Sequence, residues 1–437
     1  MQNITHYRVW SLAGPIILSN VSVPLVGAVD TAVMGHLAHP QFIGAVALGA
    51  LIFSFLYWGF GFLRMGTTGF IARAFGADEK KELHDIILRA IILALILGLF
   101  IVIMGRPLIR FGLYCLQSEV LVESLAWDYS VIRVLSAPAT LLIYVFTGIF
   151  IGLHNTRHAF VLQMVLNLTN IVLDLWFVPV LGFGIQGVAW ATLIAEYSAV
   201  ATGIWLLRKP LKAALSDVNW RRVLHYQAMK HMMTINSHIF IRTLCLVFSF
   251  AFFTAQSAKL GTVILAANTV LIHLQSIMAY ALDGFAHSAE ALAGSAYGAK
   301  NRKQFRRAVA LTTFWSGLAS ALVAVCYALF GTTILGWFTD IPEVIDMAEH
   351  YLPWMIAAPL LAFAAFQLDG IFIGTGFTVA MRNAMIASTV GYLALVLILQ
   401  TAWGNHGLFL ALSLFMILRA VTLGYYYPRI VEAIDES

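Results

Sequence analysis

The word GIFIG stands at Gly148–Gly152 and again at Gly370–Gly374, an offset of 222 in a chain of 437 residues. A single five-residue repeat means little in a chain that is 61% hydrophobic and holds 33 glycines. A second match at the same offset changes that. AFGADEKKEL at Ala74–Leu83 matches AYGAKNRKQF at Ala296–Phe305, again at offset 222, with Ala, an aromatic, Gly-Ala and a polar, charged run in register. Pro138 and Pro359 lie ten and eleven residues before the two GIFIG words, and GIQG at Gly184–Gly187 has GNHG at Gly404–Gly407 as its partner at offset 220. Self-similarity at a fixed period marks a duplicated unit, so the chain reads as two homologous halves of roughly 215 residues each.

The halves belong in a bilayer. Only 11% of residues are charged, 30 are phenylalanine, and the mean hydropathy is +0.86; that leaves too little polar surface to cover a soluble globule of this size. Apolar runs long enough to span as helix recur near 10–35, 42–71, 86–110, 125–151, 158–180, 185–207, 232–257, 262–294, 308–330, 345–373, 380–402 and 407–427. The expected fold is an all-α membrane protein of twelve spans: an N-lobe over 1–212 and a C-lobe over 213–437, six spans each, joined by a cytoplasmic linker around 208–230. An even number of spans per half inserts both halves the same way up, a parallel repeat about an axis along the membrane normal.

Lys and Arg fix the orientation. With the N-terminus inside, 19 of them fall on the cytoplasmic side, three outside (Arg106, Arg110, Lys259) and four within spans (Arg64, Arg133, Arg242, Arg419). The bias puts both termini in the cytoplasm, and it accounts for the net charge of +5 through anionic lipid headgroups without any nucleic-acid partner. Cys115, Cys245 and Cys326 are isolated and in or near spans, which indicates neither a disulfide framework nor a metal site. The first apolar segment outruns signal-peptide length and lacks a small-residue cleavage pattern, so it reads as a retained helix. RKPLKAALSDVNWRR, from Arg208, reads as a surface linker helix.

Carboxylates inside spans are costly, about 2.5–3.5 kcal/mol for Asp at mid-helix, and rare unless they face a cavity. Asp30 sits in the first span, Asp174 in the fifth, Glu196 in the sixth, Asp283 and Glu290 in the eighth and Asp369 in the tenth. Gln163, Asn167, Asn170 and Asp174 fall at i, i+4, i+7 and i+11, one side of a helix. Thr192 and Glu196 do the same on the next helix. In the second half Ser276, Tyr280, Asp283, His287 and Glu290 form another stripe, from different residues at different positions. Other readings stay open: Asn167 as interhelical glue, His287 as a packing residue, Glu290 as an interfacial charge, and each aspartate as the ion-pair partner of Arg64, Arg133 or Arg242. Pro15 and Pro24 interrupt the first span and predict a kink in the helix that carries Asp30.

The two six-span halves, VDTAVMGHL in the first span, NIVLD in the fifth, LDGFAHSAEALAG in the eighth and LDGIFIG in the tenth resemble the multidrug and toxic compound extrusion (MATE) transporters, and their DinF-like branch more than the NorM-like one. The resemblance implies export of amphipathic, often cationic compounds in exchange for H+ or Na+, with two lobes around a central cleft. It implies a coupling site at Asp30, Asn170, Asp174 and Thr192, a bending kink at Pro15, and a cleft to which we assign Tyr144, Gln163, Asn167, Tyr280, Asp283, His287 and Asp369. The seventh-span glutamate of the NorM-like branch has no counterpart between Met232 and Gln256.

A carboxylate that holds either a proton or the drug would serve antiport, and aromatic walls would add apolar and cation–π contact. The coupling ion is expected to be H+, since no charged cluster demands a metal; Na+ remains the alternative, because carboxylate, amide and hydroxyl oxygens also suit it. No other cofactor is expected. A lipid-linked oligosaccharide flippase of the same superfamily would need a cationic cleft, whereas the mid-span positions are mainly acidic. An enzyme would need a nucleophile, base or metal set, and neither HExxH, GxSxG nor a Walker A motif occurs. The expectation is therefore a non-enzymatic exporter, a monomer in the plasma (bacterial inner) membrane, with drugs and lipids as partners.

Overall fold

A computed structural model describes residues 3–35, 41–116, 119–216 and 218–435, except for the side chains at 25, 28, 30–35, 43 and 435. Among the described residues the chain is helical throughout: α1 (His6–Gly35), α2 (Gln41–Gly59), α3 (Phe62–Gly76), α4 (Lys80–Ile103), α5 (Gly105–Leu116), α6 (Val120–Arg133), α7 (Ala137–Gly152), α8 (Thr156–Phe177), α9 (Gly184–Leu206), α10 (Arg208–Ser216), α11 (Trp220–Val223), α12 (Tyr226–Lys259), α13 (Thr262–Gly298), α14 (Arg302–Leu335), α15 (Pro342–Thr375) and α16 (Thr378–Asp435). Several spans are broken. The second is α2 and α3 with a break at Phe60–Gly61, and the fourth is α6 and α7 joined by a 3-10 turn at Val134–Ser136, just before Pro138. Conversely, α16 has 58 residues, about 87 Å of helix against a hydrocarbon core of about 30 Å. It divides at Gly404, whose φ is 56°, into the eleventh and twelfth spans. Twelve spans result, six per half.

The duplication is written in the backbone. Apart from glycines, only Asp78, His154 and Lys300 among the described residues have positive φ. Asp78 and Lys300 stand at offset 222, as do His154 and Gly376, which also has positive φ; Gly184 and Gly404 share φ near +55° at offset 220. Left-handed backbone costs a non-glycine residue about 1–2 kcal/mol, so its recurrence at matched positions reflects the same helix–helix turn built twice. The turns at Asp78, His154, Lys300 and Gly376 each follow a helix end, where a positive-φ residue lets the chain close the last carbonyls; Gly184 instead opens α9, and Gly404 marks the break within α16.

GIFIG has the same explanation. A Cβ on Gly148 would stand 2.6 Å from the Arg64 carbonyl oxygen, and one on Gly370 2.3 Å from that of Ala286; on Gly152 it would meet Thr68 O at 3.0 Å, and on Gly374 Glu290 O at 2.2 Å. Both glycines and both partners repeat at offset 222. In each half the fourth span lies backbone to backbone on the second, a separation that only glycine permits. Gly374→Ala is expected to destabilise the protein by about 1–3 kcal/mol through overpacking, seen as a lower apparent unfolding midpoint in detergent. Gly14, where an added methyl would have nothing within 4 Å, should tolerate Ala.

The chain forms two compact units, one of Leu18–Ala74 and Glu79–Met233, the other of Met1–Ile17, Phe75–Asp78 and Thr234–Ser437. In the first, α4 packs on α7, α8 on α9 and α2 on α6. In the second, α13, α14 and α15 pack on one another and α15 on α16, around a core that includes Met278, Leu282, Tyr392, Phe409 and Phe415. The start of α1 belongs to this unit, with Val9, Leu12 and Ala13 clustered on Phe285, Leu292 and Ala308.

The linker holds two helices, α10 and α11, instead of one. Asn219 caps α11 by accepting from the Arg221 and Arg222 backbone N–H groups. Arg89, 3% exposed, donates to the Val223 and Arg222 carbonyls at 2.9 and 3.0 Å and to Glu82 at 2.8 Å. Arg222 in turn grips buried Asp85 through two guanidinium nitrogens. The linker is thus clamped to the start of α4.

Candidate functional site

In the first unit the predicted polar face of α8 carries two hydrogen-bonded groups. Gln163 donates to Asn167 at 2.9 Å, and Asn167 donates to the Ser22 hydroxyl of α1 at 2.7 Å. One turn further, Asn170 donates to the Asp174 carboxylate at 2.8 Å and reaches Thr192 of α9 at 3.4 Å. Thr192 also donates back to the Val188 carbonyl at 3.0 Å. Asn167 and Asn170 are 6% and 4% exposed and Asp174 0%. Three of the four expected coupling residues therefore touch, on two helices. Asp30 lies on α1, but its side chain falls outside those described, as does most of VDTAVMGHL.

One turn along α9 from Thr192, Glu196 forms a second buried group. Its carboxylate holds Arg133 at 2.7 Å and accepts from Thr140; Arg133 also donates to Ser136 and faces the rings of Phe53 and Tyr57 at 5.5 and 5.6 Å. An in-span cation needs such a partner, and here it takes a glutamate where an aspartate was the expected alternative. Tyr144 is half-buried on α7.

The second unit is built differently. Tyr280, Asp283 and His287 are half-buried along α13, and Glu290 is 1% exposed, so Glu290 is a packed residue and not a water-facing interfacial charge. Asp369, read as a cleft residue, is 5% exposed and held by Arg242 and Arg419. This is the ion-pair arrangement left open for it, with a second in-span arginine, Arg419, that was not among the expected partners. Arg419 is 2% exposed and sits between the rings of Phe366 and Phe415 at 5.8 and 5.7 Å. Thr147 stands where the repeat would place a first-half counterpart of Asp369, so this charged cluster was not copied. Pro15 lies within continuous α1, two residues before Ile17, the last residue of its segment in the second unit.

The chemistry follows from these placements. A fully buried carboxyl beside an amide and a hydroxyl can exchange a proton or small cation, whereas a carboxylate clasped by two guanidiniums already has its cations. Comparisons agree with this architecture. The chain is 38% identical to DNA damage-inducible protein F of Escherichia coli (strain K12), over 96% of this chain and 91% of that protein. It is 24% identical to a probable multidrug resistance protein NorM of Caulobacter vibrioides, over 87% and 80%. The outward-facing structure of a multidrug resistance MATE family transporter superposes with a TM-score of 0.88, at 20% identity, over 99% of this chain and 97% of that one. The MatE family model matches twice, at residues 15–176 and 239–401, one match to each half of the duplication from which the fold was read: the chain belongs to the MatE family.

Proposed function

We propose that the chain is a secondary active exporter of amphipathic, often cationic compounds, driven by H+ antiport, with its halves giving alternating access to the two sides of the membrane. The observation that carries the reading is Asp174, buried on the fifth span with Asn170 as hydrogen-bond donor and Thr192 alongside. The names of the NorM relative and of the superposed transporter agree with drug export. When ionised, the carboxylate attracts a cation; when protonated, it loses that hold, so one group serves both partners in turn. Each charge moved is worth about 2.3 kcal/mol per 100 mV. The proposed setting is the plasma membrane, a bacterial inner membrane, with both termini cytoplasmic, the chain acting as a monomer with an N-lobe over 1–212 and a C-lobe over 213–437.

A Na+-driven reading draws on the same oxygens. The test is proton movement in proteoliposomes with a preset pH gradient on addition of an ethidium-like cation. Drug-triggered flux of equal size with and without Na+ is the expected outcome. Drug movement that needs Na+ and moves no protons would make the site a Na+ site; neither movement would bring lipid-linked substrates forward.

A further inference from the structure

We infer that the elbow between α9 and α10 is a binding site for an anionic phospholipid of the cytoplasmic leaflet. The inference rests on the membrane orientation proposed above and not on the transport reading. The two helices meet at 65°, so if α9 crosses the bilayer, α10 leaves it close to the membrane plane. Its sequence, RKPLKAALS, is that of an interfacial amphipathic helix, cationic on one face and apolar on the other. Ala214 is buried with Leu88 and Val223, which pins α10 to α4 and leaves its outer side open.

That side, with the last turn of α9, forms a shallow, open depression lined by Ile204, Arg208, Leu211, Lys212, Leu215 and Ser216. Exposed apolar residues are ordinary on a lipid-facing surface, and alone they indicate nothing. The ordered polar edge is the informative feature. Arg208, Lys212 and Ser216 follow at i, i+4 and i+8, one above another, while Ile204, Leu211 and Leu215 supply an apolar wall. The Arg208 guanidinium is set over the Trp205 ring at 4.5 Å, the placement of an interfacial aromatic anchor. Among the described residues the lining carries cations and no carboxylate. A guanidinium suits a phosphodiester, the ammonium one turn on adds a second charge, and the Ser216 hydroxyl two turns on, which donates to the Ala213 carbonyl at 2.9 Å, keeps its oxygen to accept from a glycerol headgroup. The chemistry is that of phosphatidylglycerol, one acyl chain lying along Leu211 and Leu215.

The test is native mass spectrometry of the full chain taken from bilayers of phosphatidylcholine and phosphatidylglycerol. The native protein is expected to retain phosphatidylglycerol preferentially. The exposed pair Arg208→Gln/Lys212→Gln should lower that retention about thirtyfold, given the attraction contributed by each basic side chain near the surface. Lys80→Gln/Lys81→Gln, with the same charge change at another exposed cytoplasmic site, should leave it intact, and unchanged gel-filtration profiles would show that all variants fold. Equal loss in both double variants, equal retention of the two lipids, displacement by inorganic phosphate, or a second copy of the chain in place of lipid would each overturn the assignment.

Discussion

Asp174→Asn is expected to abolish drug-triggered proton movement while leaving the protein as stable as the native chain. The substitution keeps shape and volume and retains an oxygen that can accept from Asn170, whose amide now donates to the carboxylate at 2.8 Å. It removes the ability to gain and release a proton, and with it the negative charge. Because Asp174 is 0% exposed, taking away its charge also removes a desolvation cost, so the unfolding midpoint should hold or rise. The two readouts separate the roles. If flux falls to background with an unchanged midpoint, the carboxylate carries the proton. A parallel fall in both would make Asp174 a structural residue, and persistent flux would place coupling elsewhere. Asp174→Glu keeps a carboxyl but lengthens the side chain in a filled space, so partial flux with a lowered midpoint is expected. The sign with pH is fixed as well: native flux should decline once the proton-receiving side is acid enough to keep the carboxyl protonated, and the Asn variant should show no such decline.

The repeat could be read from sequence because it lives in local words. AFGADEKKEL names a turn whose backbone geometry is set by near neighbours, and GIFIG a close helix approach that leaves glycine as its mark; the structure returns the same offset in the turns at Asp78 and Lys300 and in the glycine contacts at Arg64 and Ala286. The face of α8 was equally legible, since helical periodicity alone aligns Gln163, Asn167, Asn170 and Asp174. Periodicity says nothing of which helices meet. That Arg133 takes Glu196 and that Arg242 and Arg419 share Asp369 depends on contacts between distant segments, and the rule that an in-span ion needs a partner left several candidates for each. Helix α5 was missed for a related reason: only Arg106 and Arg110, four residues apart on one face, interrupt its apolar residues, so a hydropathy reading merges its start with α4. The clamp of Arg89 on the Arg222 and Val223 carbonyls engages backbone, which no residue pattern announces.

Asp369→Asn should be among the most destabilising single substitutions in the second unit. It would leave two buried guanidiniums, on residues 7% and 2% exposed, without the carboxylate that joins them, and removing one partner of a buried ion pair costs about 3–5 kcal/mol. Asp283 lies within electrostatic reach of Arg419 and offsets only part of that loss. Arg419→Gln should cost less than Asp369→Asn, since Arg242 still holds the carboxylate, but more than Arg242→Gln, because Arg419 also fills the space between Phe366 and Phe415. The ordering follows from counting buried charges left over, and a double variant checks it. Adding Arg242→Gln to Asp369→Asn removes one stranded cation and should recover part of the lost stability, a non-additivity expected only of groups in direct contact. Thermal unfolding in detergent reads all four proteins. Should Asp369→Asn instead unfold at the native midpoint and lose transport alone, Asp369 would be a substrate- or ion-binding carboxylate for which the two arginines are place-holders.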